Sequence, residues 1–470
     1  MRSTRKARGR PRKARGARKK AVRKYAWKVV KVGLHFGDSK SRVAASKDGE
    51  SLQLKRDVFT NLIGFLRFQM PLERLPKKTD VLCAEQAVKF LQQVNLKKPI
   101  HSGLVDDVRV CRQFVTHICS AIDPSGTKKL WGVASIPAMA GTEDLEKAYR
   151  GLRGPLDRVI IAPEPYLASE GMRLEPDFRL GPDFTRGALV IDVGAQTTDI
   201  CLVRGGFPRP EDQIRLEIAG NSIDDRIFKN ALVHSPALFL SRRLAREIKE
   251  EQAFVGGSPV AQGNQGSDLL ALTDVIRKAC DALLDAVVTA GCTLLGRNEP
   301  EAAAAISRAI ILTGGGSRIR NLSAVLEHEL HARGYPEARV HVPKDYQALV
   351  TRGALRFAQK LSDEEWKAAA TRTPAENARY FSSSGGADLA GAASDDASVP
   401  TVDMESIAWM DVGLRAEATT SEASLARATP REPPRAPVDE ISALAREAVK
   451  KKDMKLPEVD VEELDFFRAL

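Results

Sequence analysis

Short apolar runs alternate with longer segments of helical periodicity through the middle of the chain. Buried strands are predicted for the runs of β-branched and apolar residues at 28–36, 129–137, 158–163 and 187–193. Amphipathic helices are predicted for the segments at 106–122, 222–233, 268–295 and 319–330. Strands that alternate with helices predict an α/β fold with mixed sheets.

The pattern weakens towards both ends, and composition divides the chain into three regions. Residues 1–28 form a basic arm that we expect to be disordered, and residues 29–358 carry the strand and helix pattern. Residues 359–470 form a tail with too few apolar residues to offset the entropy of ordering, so we expect it to be mostly disordered. Two islands in the tail, 438–452 and 461–470, could form short helices. The second island makes nonspecific apolar contacts or docks as a helix on the protein's own surface, or alternatively it is a peptide that binds a partner protein.

Most of the net positive charge lies in the basic arm. The chain of 470 residues has a formal net charge of +11, and its first 28 residues contain 14 Lys and Arg but no acidic residue. The remainder is therefore slightly acidic, at about −3. A polyanionic partner is consequently expected at the arm and not at the folded body.

Within the arm, the segment Arg8-Gly-Arg-Pro-Arg resembles the core of an AT-hook, which lies extended in A·T-rich minor grooves. On this interpretation Arg8, Arg10 and Arg12 contact DNA. Two alternatives remain open. One is attraction to any polyanion, including an anionic membrane, and the other is an upstream start codon that adds an unselected tail.

The cysteines and the hydropathy argue against several classes of protein. Six scattered cysteines include no CxxC pair and no neighbouring His at metal-ligand spacing, so we expect reduced, buried thiols. No apolar segment is long enough for a signal-peptide core or a membrane span, which predicts a cytoplasmic protein without a transmembrane segment.

Two glycine-containing turns carry the candidate chemistry, and the first follows an apolar strand that ends at Asp192. This strand turns through Gly194 into Thr197 and Thr198. Small residues let backbone N–H groups approach phosphate oxygens, hydroxyl groups add donors, and a carboxylate at the strand end suits hydrated Mg²⁺. Because an ordinary strand-turn-strand hairpin has the same pattern, this turn alone leaves both interpretations open.

The second turn is the glycine run at 314–316, between a buried strand and an amphipathic helix. Three consecutive glycines carry a large entropic cost, which favours close approach of a ligand, and Ser317 is expected to cap the helix. Elsewhere, Glu164 stands between Pro163 and Pro165 at a strand end. A carboxylate held in this way could orient or deprotonate water, although a solvent-facing glutamate in a turn is the alternative.

Together these three segments resemble the actin and sugar-kinase superfamily of ATPases, over about residues 29–358. Segments 210–226, 248–256 and 314–320 are similar to the MreB/MamK family of bacterial actins, and to its MamK members more than to MreB. The resemblance implies an α/β, actin-like fold in which two ribonuclease-H-like domains surround a central ATP cleft. It also implies ATP and Mg²⁺ as cofactors.

The resemblance assigns a role to each candidate residue. Glu164 would position the attacking water, and Asp192 would act both in catalysis and as the metal ligand. The expected nucleotide contacts are Gly33, Gly37, Asp38, Ser39, Gly194, Thr197, Thr198, Lys249, Gly314, Gly315 and Gly316.

Four residues depart from the pattern of the family. His35 occupies the position of an aspartate near the metal, and Asp38 stands where a threonine is usual. Gln196 adds bulk to the second turn, and Arg246 replaces a ribose-binding glutamate. Since an imidazole cannot replace a carboxylate around hydrated Mg²⁺, we expect ATP binding to survive these changes better than hydrolysis.

The expected function is that of a filament of identical subunits, cytoplasmic or associated with the membrane or nucleoid, which turns over by slow ATP hydrolysis. Such a filament would scaffold or position an intracellular structure such as magnetosomes. Two alternatives remain: an actin-like protein that tethers and segregates DNA through its arm, and a nucleotide-binding adaptor that does not hydrolyse ATP.

Overall fold

The structure is a computed structural model. It describes residues 29–37, 40–67, 81–175, 181–234, 241–256 and 267–383. The basic arm with Arg8, Arg10 and Arg12, the first-turn residues Asp38 and Ser39, and both tail islands lie outside the described residues.

Each strand and helix that the sequence pattern predicts has a counterpart in the described chain, and further strands lie between them. The strands are β1 Val29–Phe36, β2 Lys40–Lys47, β3 Glu50–Ser51, β4 Val58–Thr60, β5 Ile63–Leu66, β6 Val81–Cys83, β7 Val94–Lys97, β8 Ile100–His101, β9 Leu104–Val105, β10 Lys129–Ile136, β11 Arg158–Pro163, β12 Ala188–Val193, β13 Thr198–Val203, β14 Gln213–Leu216, β15 Ile310–Thr313 and β16 Val340–His341. The helices are α1 Glu85–Lys89, α2 Val108–Ile122, α3 Thr142–Leu152, α4 Glu164–Met172, α5 Gly220–His234, α6 Arg242–Gln252, α7 Ser267–Leu295, α8 Pro300–Ser307, α9 Leu322–Ala332, α10 Tyr346–Lys360, α11 Asp363–Ala369 and α12 Pro374–Ser383.

Two sheets of the same topology form the centre of the molecule. The first has the order β3-β2-β1-β10-β11, with β4 added to β2, and the second has the order β14-β13-β12-β15-β16. In each sheet three consecutive strands pair antiparallel, namely β1, β2 and β3 in the first sheet and β12, β13 and β14 in the second. Two later strands extend each sheet on the other side of its first strand and pair parallel, namely β10 and β11 in the first sheet and β15 and β16 in the second. This repeated arrangement confirms the expected duplication of a ribonuclease-H-like α/β unit.

Helices cover both faces of each sheet, which explains why its parallel strands are almost continuously apolar. Helices α2 and α3 pack on the outer face of the first sheet, and α5, α6, α7 and α9 pack on the outer face of the second. A third core lies between the two sheets, where α4 and α10 meet side chains such as Val133 from β10 and Val190 from β12. The two halves therefore share one buried junction.

Close backbone approaches hold the junction together. A Cβ atom on Gly353 of α10 would lie 1.7 Å from the carbonyl oxygen of Leu167 in α4. A Cβ on Gly33 of β1 would lie 2.5 Å from the carbonyl oxygen of Thr351, also in α10. Both positions therefore require glycine for packing. Gly33 lies inside β1 and faces α10, and its contact with nucleotide stays a prediction.

Buried ion pairs add to the same junction. Glu170 of α4 is 1% exposed, and its carboxylate lies 2.8 Å from Arg356 Nε and 2.6 Å from Lys360 Nζ, both on α10. The buried carboxylate of Glu170 therefore has two cationic partners, and both tie α4 to α10.

The folded part of the chain extends beyond the predicted boundary at residue 358. Helices α11 and α12 follow α10, and their aromatic residues Trp366 and Phe381 are buried in the junction core. Trp366 donates a hydrogen bond from Nε1 to the carbonyl oxygen of Ala358, 3.2 Å away. The expectation that the tail begins at 359 is therefore wrong for residues 359–383. Each of these helices is short and polar, and a single large aromatic residue anchors it.

Two smaller features complete the fold. Strands β5, β6 and β7 form a separate three-stranded sheet with its own small core of Leu62, Leu82, Ala87 and Val94. Strands β8 and β9 form a hairpin. In the part of the chain that the structure describes, no helix combines the length and the apolar character needed to cross a bilayer.

Candidate functional site

The ends of β1, β11 and β12 bring three titratable side chains together in a cleft between the two sheets. His35 is the second-to-last residue of β1, Asp192 is the second-to-last residue of β12, and Glu164 begins α4 directly after β11. His35 Nε2 lies 3.5 Å from Glu164 Oε1. The charges of Glu164 and His35 both influence the pKa of Asp192, which places all three groups in one electrostatic unit.

Glu164 is held in a fixed direction by the strand beside it. Ser135 of β10 donates a hydrogen bond from Oγ to Glu164 Oε1 at 2.9 Å, and the backbone N–H of Phe36 donates to the same Ser135 Oγ at 3.3 Å. Pro163, the N-cap residue, and Pro165 restrict the backbone on either side. Glu164 is therefore oriented and partly accessible, with its side chain 15% exposed. The sequence predicted Glu164 but missed Ser135, which looks like an ordinary strand residue.

Asp192 titrates well above an ordinary aspartate. Burial raises its pKa to about 7, and the negative charges of Glu164 and Asp199 add to the rise, while the charge of His35 opposes it. Asp199 lies opposite Asp192 in β13 and is itself fixed by Arg215, whose Nε is 2.7 Å from Asp199 Oδ1. This end of the cleft thus concentrates carboxylates, and a bound cation would favour their ionised forms.

The pKa of His35 is also raised, but for an imidazole a raised pKa favours the protonated form. Burial lowers its pKa, but the hydrogen bond and charge of Glu164, together with the charge of Asp192, outweigh burial and leave the pKa raised. Within the described chain, its Nδ1 atom is buried without a hydrogen-bond partner. The imidazole therefore favours its charged form and neutralises part of the surrounding carboxylate charge.

The turn after β12 is anchored on the beginning of α5. The N–H of Gly194 donates to the carbonyl oxygen of Thr197 at 2.9 Å, and the carbonyl of Gly194 accepts from the N–H of Gly220 at 3.1 Å. The carbonyl of Ala195 accepts from Asn221 N–H at 2.7 Å. The turn is thus a fixed loop whose carbonyl groups already accept from the first N–H groups of α5.

The two threonines of this turn have different roles. The hydroxyl of Thr197 is partly exposed and lies 3.5 Å from Asp199 Oδ2, so it stays at the edge of the cleft. Thr198 is fully buried, and its hydroxyl donates to the carbonyl of Ile218 at 2.7 Å. The hydroxyl of Thr198 thus ties β13 to the segment before α5, and its contact with nucleotide stays a prediction.

The three glycines of the second turn also have different roles. Gly314 has a φ of 78°, and a Cβ there would lie 2.3 Å from Asp192 Oδ1. A Cβ on Gly316 would lie 2.2 Å from a methyl carbon of Val193. Both positions therefore require glycine for packing against β12. Gly315, in contrast, is exposed, and among the described residues nothing lies within 4 Å of the Cβ position. Only Gly315 presents open space in this turn.

Lys249 lies beside the anchored turn. Its Nζ is 2.8 Å from Asp224 Oδ1 and donates to the carbonyl of Gly220 at 3.1 Å, so it ties α6 to the first turns of α5. Arg246, one turn earlier on α6, lies 3.4 Å from the other oxygen of Asp224. Lys249 and Arg246 thus both bind the carboxylate of Asp224, beside the anchored turn.

Gly37 immediately follows β1, and its carbonyl accepts a hydrogen bond from the side-chain amide of Asn61. A Cβ on Gly37 would lie 2.9 Å from the carbonyl oxygen of Lys40. Gly37 is therefore held at the mouth of the first turn, next to His35.

A contact that the sequence did not predict joins the two halves across the cleft. The hydroxyl of Ser102, at the tip of the β8–β9 hairpin, donates to the side-chain oxygen of Gln196 in the anchored turn. Ser102 lies in the turn between β8 and β9 and has a positive φ of 51°. The bulk of Gln196 was visible in the sequence, but its partner lies 94 residues away and carried no pattern.

The carboxylates of the cleft suit a hydrated cation more than a cation held by protein alone. Among the described residues, no group of three or more His, Cys, Asp or Glu side chains could hold a metal ion. Mg²⁺ is usually bound through one or two carboxylates, with water and phosphate oxygens completing its shell. Asp192 fits that mode, whereas the raised pKa of His35 opposes a second positive charge nearby.

The comparisons with known proteins agree with this architecture. The family model of the MreB/Mbl protein matches residues 84–365. The actin-like protein MamK of Paramagnetospirillum magneticum is 28% identical over 346 residues, which cover 72% of this chain and 94% of that protein. A solved MamK double helical filament superposes with a TM-score of 0.58 at 25% identity, covering 71% of this chain and all of the other. A non-polymerising MamK mutant bound to AMPPNP superposes with a TM-score of 0.59 at 26% identity and the same coverage.

Proposed function

The chain belongs to the MreB/Mbl protein family of actin homologues, and on that basis we propose that it binds ATP in the cleft between its two halves and assembles with copies of itself into filaments. The observation that carries the proposal is the pair of turns that flank Asp192. One is anchored on α5, and the other leaves open space at Gly315. Both follow neighbouring strands of one sheet, where ligands of open α/β sheets usually bind.

The proposal gives each half of the nucleotide its own contacts. The turn at 194–197 would hold phosphate groups through its backbone, because its small residues leave the chain accessible. The turn at 314–316 would accommodate the nucleoside at Gly315, since Gly314 and Gly316 are occupied with packing on β12. Lys249 would stand beside the bound nucleotide.

Mg²⁺ would be held through Asp192 and phosphate oxygens, and when bound it would neutralise phosphate charge. Asp192 itself would remain ionised more readily beside a cation, because its pKa of about 7 arises from burial and from neighbouring carboxylates. His35 supplies positive charge on the opposite side of the cleft, where a carboxylate was expected.

Hydrolysis would be slow. Ser135 orients Glu164 towards the cleft, which suits a group that positions water. The same carboxylate oxygen lies 3.5 Å from His35, so the imidazole competes for the lone pairs that a water molecule would use. This contact also favours a second candidate function, a nucleotide-binding adaptor that assembles without hydrolysis.

The partners of the assembled form are further proposals. Head-to-tail contacts between identical chains generate open filaments, and the solved MamK filament superposes on 71% of this chain. Positioning of an intracellular structure such as magnetosomes, and binding of DNA or an anionic membrane through the basic arm, remain predictions.

Sedimentation and electron microscopy of the full-length protein test the proposal. The wild type should form filaments with Mg-ATP and remain in the supernatant without nucleotide. Gly315→Val should stay in the supernatant under both conditions, because its side chain enters the open space of the turn. Gly141→Val, at an exposed glycine with only an ordinary contact, is the matched control and should assemble like the wild type. Filaments that form equally without nucleotide would contradict the proposal.

A further inference from the structure

A long apolar groove lies where α12 packs against the rest of the molecule. The groove has a volume of about 950 Å³ and runs between α12, the segment 207–213 and the residues that follow β10. Its walls are mostly apolar, with Ile136, Phe207 and Tyr380 among them. None of the described residues that we assign to nucleotide binding lines this groove.

Large apolar side chains are exposed at this groove. In the described chain, four large apolar side chains are exposed, and two of them mark this groove. Tyr380 lines the groove and is 37% exposed, while Met139, between the lining residues Ala138 and Ala140, is 47% exposed. The groove therefore offers apolar surface to an occupant of matching chemistry.

The rim of the groove is basic. Among the described residues that line it are three arginines, Arg209, Arg372 and Arg379, and one carboxylate, Glu376. Arg209 also lies 3.8 Å from the carboxylate of Glu211. The guanidinium of Arg372 stacks over the ring of Tyr380, with 3.8 Å between its central carbon and the ring centroid. The groove therefore suits an occupant that combines apolar or aromatic side chains with negative charge.

The end of the given sequence has this composition. Residues 458–470 carry five carboxylates and one arginine, interleaved with apolar residues that include the adjacent pair Phe466 and Phe467. The chain between Ser383 and this segment starts at the groove itself, because Ser382 and Ser383 belong to its lining. A connection of roughly 75 residues could extend over as much as ~250 Å, so reach does not limit a return to the groove.

We propose that residues 458–470 dock into the groove of their own chain, with Phe466 and Phe467 on its apolar walls and the carboxylates facing the arginines. A tether that begins at the rim gives the segment an effective concentration on the order of 0.1 to 1 mM. An intrinsic Kd on the order of 10 to 100 µM is then enough to favour the filled groove about tenfold. The segment thus closes the groove to other chains.

Hydrogen exchange of the full-length protein tests the docking. The double substitution Phe466→Ala, Phe467→Ala should speed amide exchange about tenfold in residues 207–213 and 374–383 and leave the sheets unchanged. The matched control, Ile441→Ala with Leu444→Ala in the other tail island, should exchange like the wild type. Unchanged exchange in the Phe466, Phe467 variant would overturn the proposal. A wild-type protection that weakens on dilution would also overturn it, since that result assigns the groove to a second copy.

A charge exchange tests the pairing independently of the aromatic residues. Reversing Arg372→Glu and Arg379→Glu together should speed exchange at the segment 207–213, and so should reversing Glu462→Lys and Glu463→Lys. Combining both reversals should restore most of the protection, whereas Arg150→Glu, at an exposed arginine of α3, should have no effect at 207–213. Additive losses without restoration would overturn the proposal, because two merely structural effects would add.

Discussion

The two central sheets share their strand order but carry different titratable side chains, an imidazole and a carboxylate, at equivalent positions of the cleft. His35 is the second-to-last residue of β1 and pairs with Arg42 of β2. Asp192 is the second-to-last residue of β12 and pairs with Asp199 of β13. A glycine follows each strand, Gly37 in the first half and Gly194 in the second.

The same backbone therefore supports different chemistry in the two halves. The second half presents carboxylates, an anchored turn and the open position at Gly315, which are the features that suit phosphate, a cation and a nucleoside. The first half presents an imidazole of raised pKa beside Glu164. We infer that the second half dominates nucleotide affinity and that the first half limits turnover.

The largest expected difference between the two halves comes from removing the charge of Asp192. Asp192→Asn should weaken Mg-ATP binding about 100-fold, because interactions with charged groups are worth about 1.5–3 kcal/mol. His35→Gln, the same type of change at the equivalent position, should alter affinity less than about threefold, because an uncharged amide replaces a group that contributes little to binding. Calorimetric titration of both variants checks this asymmetry. Equal losses in the two variants would contradict the division between the halves.

Restoring a carboxylate in the first half should accelerate turnover. His35→Asp removes the imidazole that competes for Glu164 and should raise the rate of phosphate release about tenfold, the low end of what an oriented acid–base group contributes. Glu164→Gln added to His35→Asp should abolish that gain. A phosphate-release assay under saturating Mg-ATP measures both. A His35→Asp protein that releases phosphate no faster than the wild type would show that His35 does not limit hydrolysis.

The contact between Ser102 and Gln196 should govern how fast nucleotide leaves. Gln196→Ala removes the link between the β8–β9 hairpin and the anchored turn, and it should speed nucleotide release about fivefold, since one neutral hydrogen bond is worth about 1 kcal/mol. Ser102→Ala should have the same effect, and the double variant should add little to either. Stopped-flow release of a fluorescent nucleotide provides the rates. Fully additive single effects would mean that the two side chains act separately.

The smallest expected effect concerns Lys31, whose equivalent position in β12 is Ala188. Lys31 lies between Trp131 and Trp366, with its Nζ 4.4 and 4.7 Å from the two ring centroids. Burial lowers its pKa to about 8, Asp363 opposes that shift and Arg158 adds to it. The folded pKa thus lies below the ordinary value of 10.5, and the unfolded chain binds more protons between these two values.

The free energy of unfolding should consequently rise as the pH increases from about 8 to about 10.5. Below that window the folded protein bears the full free-energy cost of burying the charged Lys31. Because the side chain is only half-buried, we expect a rise of no more than about 1 kcal/mol. Lys31→Met should lack this rise. Urea unfolding of both proteins at pH 7.5 and pH 10 gives the comparison, and parallel changes in the two proteins would remove Lys31 as the cause.

Much of the architecture could be predicted from local pattern. The predicted helices at 106–122 and 268–295 correspond closely to α2 and α7. The strands before Gly37, Glu164, Gly194 and Gly314 were predicted because buried parallel strands are almost continuously apolar. Helices α11 and α12 were missed because each depends on one aromatic anchor, and such anchoring is a tertiary contact that short polar segments do not reveal.

The chemistry of the cleft was less predictable than its location. Gly33 and Thr198 match the expected motif, and the structure also gives each a packing role. Gly33 faces α10, and the hydroxyl of Thr198 ties β13 to the segment before α5. Ser135 and Ser102 contact Glu164 and Gln196 from distant parts of the chain, and nothing in their local sequence marks them. Motif spacing identifies a turn, whereas the direction of each side chain depends on what packs against it.

Calorimetric titration of ATP, in the presence of Mg²⁺, into wild type, Gly315→Val and Gly141→Val tests the central claim most directly. The claim is that the cleft beside the second sheet binds nucleotide through the open position of its glycine turn. We predict one binding site in the wild type, the same site in Gly141→Val and no measurable binding in Gly315→Val with an unchanged circular dichroism spectrum. Wild-type affinity in a folded Gly315→Val protein would contradict the claim.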